Sequence, residues 1–561
     1  MLISRISNKL YFKKNDFFRI IPGFHTLVIV IILIILLSFS LIGETSPKFL
    51  IFHLDAVSSR DFFQYMEDGD LPNLKAVFEN GHIIHYGLSL FPGGTETIYP
   101  RLKKGLDNST GDSVGWGYYD RDKERIVPTY KTWFYMFSHI PRRARDCFIY
   151  GIPGLDPFMF LPLLNVPELL ETYGVVEIIW FATDALGHIM GQKLRNASIY
   201  RFDRYFGNLV KRLNLNEVNL IVYCDHGMSF GDFTVINQGK EIRKIVGNNL
   251  QAFLYPNLYL KNPDTKDKVA KDIVLGSEID FAFYLNSLHQ MIGYFNEGKV
   301  IFEKKEGKFR YLFEGEDIFG YYNDGYNGEW LTALDWLAYT RESRFPAALP
   351  NLYNLLLNER AGDIVIVINP PKIIYTSLHY MANHTGVTDT DLMVPILLRG
   401  PQLEHLYDRE EMWLHNLFIS IPELSFENLE PAREKNFFSF WGNGYGELNS
   451  GFELSLSPAY RWNFGFYYSA DVYRSWLEYD LYSSYLIRLW TGAGLQYKEQ
   501  NLGALVQARL QIDLGKIQFN YGGQFTQEGL KINIKELVYQ INDRLALEWL
   551  VPNGFGMSFS W

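Results

Sequence analysis

Cysteine is almost absent from this chain: 561 residues hold two, Cys147 and Cys224. That excludes a disulfide framework and a cysteine-rich zinc module. Cys224 closes an apolar run and reads as a buried, inert thiol. A basic excess is missing as well. The net charge is −10, whereas phosphate-backbone binding needs a positive surface, so nucleic acid is excluded as a partner. The short basic cluster at Arg142, Arg143 and Arg145 reads as a solvated face.

The features that are present begin with an export segment. Residues 1–23 carry Arg5, Lys9, Lys13, Lys14 and Arg19 against one acid, Asp16, and Thr26–Ile42 is uncharged and almost wholly aliphatic. A helix of that length spans about 25 Å, marginal against a hydrocarbon core of about 30 Å. The positive flank keeps the N-terminus in the cytoplasm and exports the remainder of the chain. Residues 1–43 are therefore an export signal or a membrane anchor. The segment is long for a signal, and its small residues Ser38, Ser40 and Gly43 make a poor cleavage pattern.

Residues 44–410 read as α/β, with strands and helices alternating down to about residue 230. Helices are expected at Leu71–Glu79, Ile98–Lys104 and Arg201–Leu213. Residues 232–345, rich in Tyr, Asn, Gly and charge, read as an irregular insertion over the site, after which Asp363–Asn369 resumes a core strand and Met393–Leu398 supplies another. From 434 to 561 the pattern changes to period two: Ala504, Val506, Ala508 and Leu510, then Ile517, Phe519 and Tyr521, then Leu545, Leu547 and Trp549. This is a C-terminal antiparallel β-domain. Its last stretch, Phe555, Met557, Phe559 and Trp561, resembles the closing strand of an outer-membrane β-barrel, and the segment has length for about eight membrane strands.

Three apolar runs end on an aspartate: Phe49–Leu54 on Asp55, Val175–Thr183 on Asp184 with His188 four residues on, and Leu220–Cys224 on Asp225-His226. Such runs read as strands of a parallel sheet buried on both faces, and ligands sit outside the carboxyl ends of those strands. Converging carboxylates and imidazoles call for a metal, because a buried carboxylate without a partner is costly. His384 is a further candidate ligand. Between them stands Phe91-Pro92-Gly93-Gly94-Thr95-Glu96-Thr97, a turn into a helix. A threonine there has backbone N–H groups beside it for a phosphoryl oxygen, and a metal can activate its hydroxyl. Thr95 is the candidate nucleophile and Thr97 its rival.

In this order the motifs resemble the alkaline phosphatase superfamily, type I phosphodiesterase/nucleotide pyrophosphatase branch, over residues 47–405. Asp55 resembles the first metal aspartate, and Pro92, Thr95 and Gly105 match the Pro-x-x-Thr…Gly nucleophile segment. Asp184-Ala185-Leu186-Gly187-His188 is similar to Asp-x-x-Gly-His, Asp225-His226-Gly227-Met228 matches Asp-His-Gly-Met, and His384 resembles the last histidine ligand. The resemblance implies an alkaline-phosphatase-like, mostly parallel sheet flanked by helices. It also implies two divalent ions, zinc by ligand type: one on Asp184, His188 and His384, the other on Asp55, Asp225 and His226 with Thr95 at its open position. A hydrolase of phosphoric esters, phosphodiesterase-like, is the implied activity, with a small phosphoester of lipid or nucleotide type as substrate.

The chain departs from that pattern at Gly94, where nucleotide-cleaving members usually carry Lys, and after Thr95, where Glu-Thr-Ile replaces Phe-Pro-Asn. No asparagine occurs in Gly115-Trp116-Gly117-Tyr118, near where the family places an oxyanion-binding Asn; Asn108 is a candidate substitute that no spacing supports. The metal site stands; the nucleotide substrate is put in question. A phosphomonoesterase, a phosphoethanolamine-type transferase and a non-catalytic envelope protein built around the barrel remain alternatives. A sulfatase is disfavoured, since neither cysteine lies in Cys-x-Pro-x-Arg. The expected location is the cell envelope, with the catalytic domain periplasmic. An outer-membrane barrel requires removal of the N-terminal segment and a mature start near residue 44.

Overall fold

The computed structural model describes residues 47–560, except 112, 129–147, 152–155, 324, 377–379, 425–436, 444–449, 460–461, 470–471, 484–486, 499–500, 515–516, 527–528, 543–544 and 551–553. The N-terminal segment, Cys147, the Arg142–Arg145 cluster and Trp561 lie outside the described residues. Among the described residues no helix is long and apolar enough to cross a membrane.

The N-terminal part of the described chain is built on a seven-stranded sheet. Its strands are β1 (Lys48–Leu54), β2 (His82–Leu88), β3 (Phe148–Tyr150), β4 (Val175–Trp180), β5 (Val218–Tyr223), β6 (Met393–Arg399) and β7 (Glu411–Trp413), in the order β7-β2-β6-β5-β1-β4-β3. β1 runs parallel to β4 and β5, β3 to β4 and β2 to β7, while β6 is antiparallel to both β2 and β5. Nearly every residue of β1, β4 and β5 is buried, as their unbroken apolar runs require when helices cover both faces. Helices α1 (Pro72–Phe78), α2 (Thr95–Leu102), α3 (Ala182–Met190) and α4 (Gln192–Val210) pack around it. The last is nine residues longer at its start than its apolar spacing alone suggests.

Two expectations are corrected here. Residues 232–345 are not irregular: they supply six strands of a second, antiparallel sheet of seven, between Leu250–Leu254 and Lys308–Gly315. The seventh is Ile364–Val367, which pairs with Asn257–Leu260 and Phe281–Leu285 and does not join the parallel sheet. Val365 and Val367 face the main core, Ile364 and Ile366 a second apolar cluster. A strand buried on both faces has the same composition in either sheet.

The C-terminal domain is a closed antiparallel barrel of ten strands, not eight. They are β8 (Phe437–Asn443), β9 (Ser450–Ala459), β10 (Trp462–Ser469), β11 (Val472–Ser483), β12 (Ile487–Lys498), β13 (Asn501–Leu514), β14 (Ile517–Thr526), β15 (Gly529–Asn542), β16 (Leu545–Leu550) and β17 (Gly554–Ser560). β8 pairs with β17 and closes the ring. The period-two apolar residues Val506, Phe519, Tyr521, Leu547 and Trp549 are exposed on the outer wall, while the alternate residues Gln507, Gln511, Asn520 and Glu548 are buried inside. Among the described residues the outer wall of the barrel carries exposed apolar side chains and its interior holds buried polar ones.

Candidate metal centre

Every proposed site residue sits beyond the carboxyl end of a strand of the main sheet or on a segment pinned beside one. Asp55 follows β1, and Asp225-His226 follow β5 after Cys224. β4 stops at Trp180, so Asp184 is not a strand terminus. It lies in the first turn of α3 with His188 one turn on, and the i, i+4 spacing puts both on one helix face. The bridge of Ala382–Asn383 to Ser229–Phe230 lays His384 beside the segment after Asp225. Gly227 lets the Thr390 segment pack against the residues after Asp225, because a Cβ there would collide with the Thr390 carbonyl.

Asp184, His188 and His384 form one group. His188 Nε2 and His384 Nε2 are 2.9 Å apart, and Asp184 Oδ1 is 3.3 Å from the first and 3.4 Å from the second. Ligand atoms on a tetrahedral zinc with bonds of about 2.0–2.1 Å stand about 3.4 Å apart, so the triangle is close to one coordination face. Nδ1 of His188 donates to Ala382 O at 3.0 Å, and Nδ1 of His384 donates to Gly93 O. Each ring's second nitrogen is fixed by a carbonyl, as in metal-ligating histidines.

Asp55, Asp225 and His226 form the second group. His226 Nε2 is 3.5 Å from both Asp55 Oδ1 and Asp225 Oδ2, and its Nδ1 donates to Gly227 O at 2.9 Å. The atom facing the two carboxylates is therefore a lone pair, an arrangement that only a cation relieves. Asp225 Oδ2 is buried without a hydrogen-bond partner. The two groups adjoin: the His226 and His384 rings stack at 4.1 Å.

The electrostatics stem from setting three carboxylates together, Asp55 and Asp225 buried and Asp184 half-buried. Burial, then the charges of Asp225 and Asp184, hold Asp55 well above the usual carboxylate range. Burial also works against Asp225 and Asp184, yet the imidazoles facing them hold both below it. Burial pushes His226 down to about 4 against the pull of Asp225. At His384 burial opposes the charge, but the hydrogen bond and charge of Asp184 prevail and raise it to about 9.

Thr95 begins α2 behind Gly94, in a helix whose expected start was Ile98. Its Oγ1 lies 3.4 Å from each oxygen of Asp55. Thr97 Oγ1 instead meets Ser113 Oγ at 3.2 Å. Asn108 is committed elsewhere: its Nδ2 donates to Phe91 O at 2.6 Å and Asn351 Oδ1 at 2.7 Å, so it braces the loop before Thr95 and does not substitute for an oxyanion-binding asparagine. Asn351 completes the brace through Phe91 N and Ser89 O. Glu96 folds back over Gly94, where a Cβ would stand 3.1 Å from both its oxygens, and burial raises its carboxyl to about 7. With Trp116, Tyr255 and Thr97 it lines a small pocket beside Thr95.

One residue carried no motif of its own. His53 Nε2 lies 3.1 Å from Asp225 Oδ1, and its ring is stacked between Tyr99 (5.7 Å) and Tyr223 (4.8 Å). Both tyrosine hydroxyls bond the buried Glu177, at 2.8 and 3.0 Å, which pairs with Lys103 Nζ at 2.5 Å. The only sign of it in the sequence is a lone histidine two residues before Asp55 in an otherwise apolar strand.

No protein-family model matches the chain, and no curated protein matches it. Among solved structures it is similar to murine ectonucleotide pyrophosphatase/phosphodiesterase 5, at 16% identity over 69% of this chain and 97% of that one, TM-score 0.44. An inactive form of the murine protein in complex with AMP aligns over the same shares at 16% identity and TM-score 0.43. The human counterpart aligns at 14% identity over 66% of this chain and 93% of that one, TM-score 0.42.

Proposed function

We propose that this chain is a metal-dependent phosphoric ester hydrolase of phosphodiesterase type, with Thr95 as nucleophile. Two divalent ions, zinc by the carboxylate and imidazole donors, would be held by Asp184, His188 and His384 and by Asp55, Asp225 and His226. The observation that carries the reading is the pair of converging donor sets, with the Thr95 hydroxyl 3.4 Å from Asp55 at the edge of one of them. When bound, such ions offset the charge that develops on phosphoryl oxygens and favour a deprotonated threonine hydroxyl.

The chain's own groups supply the rest. Thr95 Oγ1 forms a bond to phosphorus as the ester oxygen leaves with its alcohol, and water then cleaves the phosphothreonine and restores the hydroxyl. The amino end of α2 favours the phosphoryl oxyanion. The Nδ1 hydrogen bonds of His188, His226 and His384 keep Nε2 of each ring turned into the site. Glu96, folded over the Gly94 position where nucleotide-cleaving members usually carry Lys, sets an acidic group beside the substrate and disfavours extra phosphates. A phosphomonoesterase or a phosphoethanolamine-type transferase would share the intermediate and differ in leaving group or acceptor.

The location we propose is the outer membrane, with the barrel in lipid, the catalytic domain in the periplasm and the export segment removed. The apolar outer wall supports this. The experiment for the activity is a panel of chromogenic phosphomonoesters and phosphodiesters on the full chain in detergent. Diester turnover that a chelator abolishes and Zn²⁺ restores is expected. A protein that holds metal and turns over no ester would be the non-catalytic envelope module.

A further inference from the structure

Among the described residues, side chains of β9 to β14 occupy the interior of the barrel. Trp476 on β11 and Trp490 on β12 are buried, and Gly465 on β10 leaves the space that the Trp476 ring takes up, since a Cβ at 465 would collide with it. Gly492 on β12 does the same for Glu478, whose Cγ would stand 2.8 Å from a Cβ there. Small residues on one strand opposite bulky ones on the next are how a narrow barrel packs its core.

Around these rings runs a connected polar network. Glu478 accepts from Gln507 at 2.8 Å, from Asn463 at 3.1 Å and from Arg509 at 3.0 Å. Asn463 in turn accepts from Ser455, and Gln507 accepts from Gln524 at 3.0 Å. The network thus joins β9, β10, β11, β13 and β14. Arg509 also lies 5.5 Å over Trp490. A water-filled lumen would leave these groups wet, but Glu478, Gln507 and Trp490 are only 2%, 4% and 2% exposed. An eight-stranded barrel is about wide enough for side chains to fill it. Ten strands leave more room, and two tryptophans with the Glu478 network occupy it.

Resting on the outer-membrane location proposed for this chain, we infer that the barrel is a sealed anchor in the lipid bilayer and not a conduit for solutes. Its outer wall meets hydrocarbon through side chains such as Leu477, Leu495, Val506, Phe525 and Leu547, all exposed. Twelve residues, the length of β11 and β12, reach about 40 Å, or about 30 Å once tilted as membrane strands are, enough to cross a bilayer core. The barrel's task is then to hold the catalytic domain at the membrane.

The test uses the full chain, refolded in detergent and mixed with phosphatidylethanolamine/phosphatidylglycerol vesicles, then with planar bilayers of the same lipids. The expected result is flotation with the vesicles and no steady conductance. Trp476→Ala with Trp490→Ala and Glu478→Ala should convert it to discrete conductance steps. Protein that stays behind when vesicles float would overturn the membrane location itself. Flotation with reproducible open-channel conductance in the unaltered protein would overturn the seal alone, whether or not the triple variant folds. A triple variant that folds and floats but stays closed would equally contradict the seal proposed here.

Discussion

The Nε2 atoms of His188 and His384 face each other at 2.9 Å while the Nδ1 of each ring is committed to a backbone carbonyl. Two lone pairs at that distance repel, so one positive charge must lie between them. Without metal it is a proton, held by the hydrogen bond and charge of Asp184, which raise His384 to about 9. With metal it is the ion. The histidine pair is thus the place where the proposed ion would compete with the proton.

That competition sets a pH dependence. His384 lies at about 9 in the folded chain against 6.5 for a free imidazole. Its share of the metal-free protein's stability is full below the lower value and is lost as pH rises through the upper one. Metal must displace the proton, so affinity at this group should rise about tenfold per pH unit up to about pH 9 and then level off. Competition titrations with a zinc chelator between pH 6 and 10 measure it. A flat profile would mean that His384 is not a ligand.

Thr95→Ala should lower turnover by orders of magnitude with metal content unchanged, because the variant keeps every carboxylate and imidazole. Thr97→Ala should keep substantial activity, since the Thr97 hydroxyl meets Ser113 and none of the carboxylates or imidazoles of the two donor groups. Mass spectrometry of acid-quenched enzyme should find phosphate on Thr95. Phosphate on Thr97 would reverse the assignment.

His53→Phe should keep the stack with Tyr99 and Tyr223 but leave Asp225 Oδ1 without its imidazole partner. Outer-shell changes of this kind typically cost about 10–100-fold in metal affinity or activity. The loss should fall on the ion held by Asp55, Asp225 and His226 and spare the other, which two-step zinc titration separates.

Lys103→Met should destabilise the α/β domain by about 3 kcal/mol, because Glu177 is fully buried and would lose its cation while keeping two tyrosine hydroxyls. Adding Glu177→Gln should recover most of it. Urea midpoints of the single and double variants test the pair.

Much of this was legible in the sequence because it rests on local pattern. Asp55 and Asp225 end runs such as Phe49–Leu54, whose burial on both faces is written in their composition. The outer wall of the barrel is likewise the set Val506, Phe519, Tyr521 and Leu547, visible as period two. Partnership between distant segments was not legible. Ile364–Val367 has the composition of a parallel strand, and only its pairing with Phe281–Leu285 places it in the second sheet. The barrel has ten strands because only two or three residues separate most of them, while the strands themselves keep the length of about ten that membrane-strand arithmetic assumes. The roles of Asn351 and His53 depend on contacts that no spacing encodes: Asn351 reaches Ser89 across 262 residues.

The most direct measurement is metal content. The full chain, purified in detergent with zinc supplied, should carry close to two equivalents by elemental analysis. His384→Ala and Asp225→Asn should each lower that to near one, from different groups. A folded, unaltered protein that holds no divalent metal under zinc supply would contradict the account.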